Sequence, residues 1–118
     1  MERTLLREIE KRIINGFMDF IVLLALSGNG GCFSGYDIVK YIYRQFHFLP
    51  SSGTVYSHLY AMERAGWLKG VEEDRRRVYR LTGKGLKLVR EFDRINGNVQ
   101  KLVARVFSSN GNGLGFSR

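Results

Sequence analysis

Apolar side chains recur along this chain at helical spacing in five stretches and at strand spacing in one short region. From Glu2 to Asn15, Leu5, Ile9 and Ile13 stand at i, i+4 and i+8 with Leu6 and Ile14 beside them, and charged residues fill the rest. That pattern predicts an amphipathic helix. Gly16 permits a break before Phe17–Leu26, which is apolar nearly all round and suits a central buried helix, with Asp19 at its exposed edge or near its start. Ser27 to Phe33 contains Gly28, Asn29, Gly30 and Gly31 and is expected to be a loop. It lacks a preceding strand and a following Lys-Ser/Thr, so a phosphate-cradling loop does not fit. Ser34 and Asp37 have the spacing of a capping box, and Phe33 and Ile38 that of a hydrophobic staple. The helix they open, to Phe46, would bury Ile38, Ile42 and Phe46.

The stretch Pro50–Gly66 has the marks of a helix with both ends specified. Pro50 disfavours helix upstream, Ser51 is a good N-cap, and Gly66 suits the first residue past the C-terminus. Val55, Leu59 and Met62 form one apolar stripe at i, i+4 and i+7. Gly53, Ser57, Tyr60 and Arg64 fall on the opposite face, with Thr54 and Ala61 next to them. This outer face is small and hydroxylated and carries no carboxylate, so it can approach a polyanion without repulsion.

Beyond Gly66 the period shortens. Trp67–Glu72 and Val78–Leu81 read as two strands joined by a charged turn, Glu73-Asp74-Arg75-Arg76, with Trp67, Val71, Val78 and Leu81 expected to point inward, give or take a bulge. Thr82 is an N-cap for a final helix from Gly83 to about Phe107. Leu86, Val89, Phe92, Ile95 (or Asn96), Val99, Leu102 or Val103, and Val106 make a heptad-like seam along it, with Asn96-Gly97-Asn98 a weak point. A lone helix cannot bury such a seam. It needs Leu5–Ile13 of its own chain, the same helix of a second chain, or both, and a two-fold dimer is the expectation. The tail, Ser108–Arg118, is rich in Gly, Asn and Ser and is expected to be flexible.

At 118 residues there is room for one core. The organisation expected is a unit of helices and hairpin over 1–82, including the N-terminal helix, a dimerisation helix over 83–107 and the tail over 108–118. A single cysteine, Cys32, cannot form an intramolecular disulfide or a cysteine-rich zinc site, and the two histidines give a metal site nothing to build from. No nucleophile–base pair or paired carboxylates stand out, which argues against an enzyme, and no cofactor is implied. No signal peptide is visible, and the most apolar run is too short to span a bilayer, so no membrane partner is expected and the default compartment is the cytoplasm.

Charge changes the picture more. The net charge is +8, and residues 64–90 alone hold nine basic side chains against three acidic ones. The excess therefore sits on the hairpin and its flanks, directly after the helix with the carboxylate-free face. A concentrated basic segment is the electrostatic footprint of a nucleic-acid binder. Three short helices, the third facing outward, then a basic hairpin, with an N-terminal and a long C-terminal helix around them, make a mainly α winged helix-turn-helix. In that fold the third helix enters the major groove of double-stranded DNA and the wing's arginines meet the backbone or the adjacent minor groove.

Three motifs strengthen this: Gly35-Tyr36-Asp37-Ile38; Gly53-Thr54-Val55-Tyr56 with Leu59-Tyr60 and Glu63…Gly66; and Arg77-Val78-Tyr79-Arg80-Leu81-Thr82 with Gly85. In this order and spacing, over roughly Gly16 to Val89, the chain resembles the PadR family of transcriptional regulators, in the short form with a single C-terminal helix. The resemblance implies a homodimeric DNA-binding repressor whose last helix mediates dimerisation. It implies DNA contacts from Ser52, Gly53, Thr54, Tyr56 and Ser57, with Tyr56 and Thr54 on phosphates and Ser57 best placed for a base edge. Tyr60 and Arg64 lie farther down that face, and Lys69, Arg75, Arg76 and Arg77 would position the protein through phosphates. The expected dimer interface comprises Leu5, Ile9, Ile13, Leu86, Val89, Phe92, Val99, Leu102, Val103 and Val106. His58 borders the apolar stripe and reads as core edge or base contact; Tyr36, Tyr41 and Tyr43 read as a stacking platform or, more simply, as core edges. Where the family usually has Gly-Pro between its first helices this chain has Gly28–Phe33, and Ser52 and Ser57 stand where proline is frequent. Some members respond to small aromatic ligands, but the sole tryptophan, Trp67, lies on the hairpin, and no effector is assigned. The competing expectation is a winged-helix module that binds another protein without specific DNA binding.

Overall fold

The computed structural model describes residues 2–29 and 31–109. Its elements run α1 (Glu2–Gly16), α2 (Met18–Asn29), β1 (Phe33–Ser34), α3 (Gly35–Phe46), α4 (Ser52–Arg64), β2 (Leu68–Glu73), β3 (Arg76–Leu81) and α5 (Gly83–Val106). The strands form one antiparallel sheet in the order β1-β3-β2. This is a mainly helical winged helix: α2, α3 and α4 enclose the core, and β2 and β3 form the wing. No helix among the described residues is long and apolar enough to cross a membrane. Of the tail expected to be flexible, 108–118, residues 110–118 lie outside the described ones.

The core is built where the periodicities place it. Met18, Val22, Leu23 and Leu26 of α2 meet Ile38 and Ile42 of α3 and Val55, Leu59 and Met62 of α4, with Leu68, Tyr79 and Val89 closing the side facing the wing and α5. Phe46 is only partly buried and packs at its edge.

The helix ends follow the sequence signals. The Ser34 hydroxyl accepts the Asp37 N–H at 3.1 Å while the Asp37 carboxylate accepts the Ser34 N–H at 3.0 Å, a complete capping box. Ser51 caps α4, accepting the Thr54 N–H at 3.1 Å. At the other end Trp67 N–H reaches the Met62 carbonyl and Gly66 N–H the Glu63 carbonyl, both at 3.0 Å, with Gly66 at φ 84°. That is a Schellman motif, which needs a residue tolerant of the left-handed region. Thr82 caps α5 by accepting the Gly85 N–H and also donates its hydroxyl to the Gly66 carbonyl, so one side chain joins the end of α4 to the start of α5.

Four differences from the sequence expectation stand out. First, Ser27, Gly28 and Asn29 continue α2, so the loop to β1 is shorter than Ser27–Phe33. Second, Phe33–Ser34 forms a third strand; two residues are too few for a period to show. Third, the inward face of β2 is shifted by one residue, while on β3 Leu81 faces inward as expected and Val78, also expected inward, is buried on the opposite face. The pairs Leu68↔Leu81 and Gly70↔Tyr79 share one face, and Leu68 and Tyr79 are buried there, whereas Val71 is 40% exposed on the other. A one-residue shift exchanges the faces of a whole strand. Fourth, α5 passes through Asn96-Gly97-Asn98 without interruption.

Candidate nucleic-acid interface

The outer face of α4 emerges as its stripe required. With Val55, Leu59 and Met62 buried, Ser52, Gly53, Ser57, Tyr60, Ala61 and Arg64 are exposed. Thr54 is half-buried; its hydroxyl accepts from the Ser51 hydroxyl at 2.8 Å and so reinforces the cap. Tyr56 is half-buried because its ring lies on the backbone at the start of α3. A Cβ on Gly35 would run into that ring, so glycine is what allows the close approach. The Tyr56 and Tyr60 rings follow one another along the face at 6.4 Å between centroids. His58 is half-buried at the stripe's border.

The wing turns through Asp74 and Arg75, both at positive φ (49° and 66°), between the paired Glu73 and Arg76. Two left-handed residues in a two-residue loop define the hairpin turn whose twist matches that of the strands. Arg75 is thereby placed at the tip, and alternation separates its neighbours. Arg76, Arg80 and Lys69 lie on the outer face, with Lys69 opposite Arg80, and all three are exposed. Arg77 lies on the inner face with Tyr79 and Leu81. There its Nη2 donates to Glu63 Oε2 of α4 at 2.6 Å, and its guanidinium stands 5.8 Å from the centre of the Tyr79 ring. Of the three wing arginines expected to meet phosphates, Arg75 and Arg76 are exposed, whereas Arg77 is half-buried with its guanidinium paired to a carboxylate. Arg80, named in a motif but not among the expected DNA contacts, lies on the same face as Lys69 and Arg76; strict alternation from the correct register would have found it.

The start of α3 joins these two parts. It carries Tyr36, exposed, with the Lys40 ammonium 5.0 Å above its ring. Tyr43 is also exposed and Tyr41 half-buried. Burial pulls the Asp37 carboxyl upward, but the Ser34 N–H and hydroxyl and the charges of Arg76 and Lys40 outweigh it and leave the pKa lowered. The pairing of β1 with β3 brings the wing beside the start of this helix. Burial raises the Tyr79 phenol, whose hydroxyl meets no hydrogen-bond partner among the described residues.

The residues expected at a dimer interface divide. Val89 is only 7% exposed and belongs to the chain's own core, and Phe92 is half-buried, edge-on to Phe20 of α2 at 6.4 Å. Both are explained within one chain, as the packing of α5 on α2 and β3 requires. Ile9 and Val99 are half-buried. Leu5, Ile13, Leu86, Leu102, Val103 and Val106 are exposed, as are Phe17, Phe20 and Leu24, which extend the α1 row along α2. Cys32 is exposed.

The fold and this surface define a winged-helix protein with exposed arginines at and beside the wing tip and a carboxylate-free outer face on α4. Comparison with known proteins places it further. The chain belongs to the PadR-like family of transcriptional regulators, whose model matches residues 23–91. Among solved structures it is similar to a transcriptional regulator from Clostridium thermocellum (28% identity, 81% of this chain and 95% of that one, TM-score 0.67). It is also similar to a PadR-like regulator from Bacillus cereus (21% identity, 84% and 99% covered, TM-score 0.68). A third similar structure is Bacillus subtilis PadR in complex with operator DNA (22% identity, TM-score 0.52), where 64% of this chain covers 45% of that longer one. A search of curated proteins finds no match.

Proposed function

We propose that two copies of this chain assemble and bind an operator sequence in double-stranded DNA, repressing transcription by occupying it. In each copy the outer face of α4 enters the major groove, Ser57 reading a base edge and Thr54 and Tyr56 meeting phosphates. Ser52, Gly53, Tyr60 and Arg64 continue that surface, and Arg75, Arg76, Lys69 and Arg80 hold the backbone. The observation that carries this is the exposed, carboxylate-free side of α4 followed in sequence by the cationic wing, with the capped start of α3 between them. The similar Bacillus subtilis protein binds operator DNA, which supports the same use of the shared fold. For the second copy, the support is the apolar rows that α1, α2 and the distal part of α5 leave exposed, a pattern that marks interaction surfaces.

Selection of bound genomic fragments should enrich an inverted repeat whose half-sites lie about one helical turn, ~10 bp, apart. Replacing Arg75 and Arg76 together by Ala should weaken binding to all sequences and reduce the slope of log K against log salt by about 0.9 per lost phosphate contact. An unchanged slope would remove the wing from the interface. A protein with no affinity for DNA at low salt would favour the protein-binding module instead.

A further inference from the structure

The contact between Glu63 and Arg77 spans two elements that have no covalent reason to keep a fixed angle. Glu63 lies in the last turn of α4, and Arg77 lies on the wing, 14 residues later. One carboxylate oxygen, Oε2, accepts both the Arg77 guanidinium at 2.6 Å and the Gly70 N–H at 3.3 Å, so it ties α4 to both strands of the wing. The Arg77 guanidinium also stands 3.6 Å from Glu72 Oε1 and lies near the Tyr79 ring. Gly70 leaves the room it needs: a Cβ there would come within 2.6 Å of Arg77 Nε. Four features of the sequence, Glu63, Gly70, Arg77 and Tyr79, thus serve one junction, which no DNA phosphate need touch.

We infer that Glu63 is a positioning residue: with Arg77 it latches the wing to the end of α4 and sets the angle at which Arg75 and Arg76 are presented. This rests on the DNA-binding function proposed above, and it makes a prediction of unusual sign. A carboxylate near a polyanion repels it, so removing Glu63's charge should tighten binding if Coulomb's law acted alone. If the latch orients the wing, removing that charge weakens binding.

The test uses the full chain with two variants. Glu63→Gln removes the charge, and Gly70→Ala displaces the guanidinium without changing any charge. Amide hydrogen exchange on the free protein should quicken over 68–81 in both variants, while α2 and α3 keep wild-type rates. Binding of duplex DNA carrying the selected site should weaken in both, on the order of fivefold, the low end of coupling between linked sites, and the double variant should lose less than the product of the two. Unchanged wing exchange in both variants would overturn the latch. Faster wing exchange with tighter DNA binding by Glu63→Gln would overturn its role in aiming the wing. If the wild type bound no DNA, the DNA reading would fall on its own, and the exchange comparison would still decide whether the latch exists.

Discussion

Arg75 is the residue whose local preference and proposed task most clearly conflict. It sits at φ 66°, a conformation that costs an L side chain about 1–2 kcal/mol and a glycine little. The favoured sequences for this turn are Asn-Gly and Asp-Gly, and the chain has Asp74 followed by arginine. Strain at a site of this kind is informative because a glycine was chemically available and would not carry charge. Arg75→Gly should therefore raise stability in urea by about 0.5–1 kcal/mol, the strain relieved less the greater freedom of glycine in the unfolded chain. The same variant should bind DNA more weakly. Stability and affinity moving in opposite directions separates a tip retained for contact from one retained for folding; a joint decrease would refute the strain argument. His47, at φ 53° where α3 ends, is strained in the same sense, but its carbonyl accepts from Arg7 at 2.8 Å and its N–H reaches Tyr43, so its place is structural.

At the scale of elements, the helix ends and the two wing strands were written plainly enough to read, and the register of β2 and the short strand β1 were not. The capping box at Ser34 and Asp37, the Ser51 cap and the Gly66 stop all lie within a few residues of the groups they satisfy, so local spacing announces them. The α4 stripe was equally legible, because Val55, Leu59 and Met62 span a full two turns. The wing failed on register: its buried Leu68 and Tyr79 are set by which strand faces α4, and Trp67 and Val71 offered an alternation as good. The pairing of Arg77 was hidden for the same reason, since its partner Glu63 lies on another element. β1 is defined by pairing with β3 and leaves no local signal. The capping box also makes an acid-dependent prediction. The Asp37 pKa is lowered in the folded chain, so its contribution is fully present above the ordinary value of roughly 4 and is lost as pH falls through the folded value. Asp37→Asn should cost about 0.5–1 kcal/mol near neutral pH, and the gap between the two proteins in urea titrations should narrow below about pH 4. A gap that stayed constant down to pH 3 would mean the charge contributes nothing there.

At the scale of the whole molecule, one chain leaves rows of large apolar side chains exposed. Phe17 is 56% exposed where α1 meets α2, Leu102 is 50% and Val106 63% exposed on distal α5, and the latter two continue the seam begun by Ile95 and Val99. Leu102 and Val106 lie well beyond Val89, the last core residue, Phe17 points away from its buried neighbour Met18, and neither row has anything to gain from water. A second copy related by a two-fold axis would cover both rows at once, because each row meets its equivalent or the other row across the axis. It would also set two wings and two α4 faces at a fixed spacing, which a single chain cannot do. Association of folded chains shifts apparent stability by mass action, so the melting temperature of the wild type should rise with protein concentration. Phe17→Glu and Leu102→Asp change residues that a single chain leaves exposed, so each variant should fold. Light scattering should then give a monomer whose melting temperature does not depend on concentration, and its affinity for an inverted repeat should drop to that for one half-site. A wild type that is monomeric at tens of micromolar, or that melts at one temperature at every concentration, would leave the two rows without a partner and remove the two-fold spacing from the proposed mode of DNA recognition.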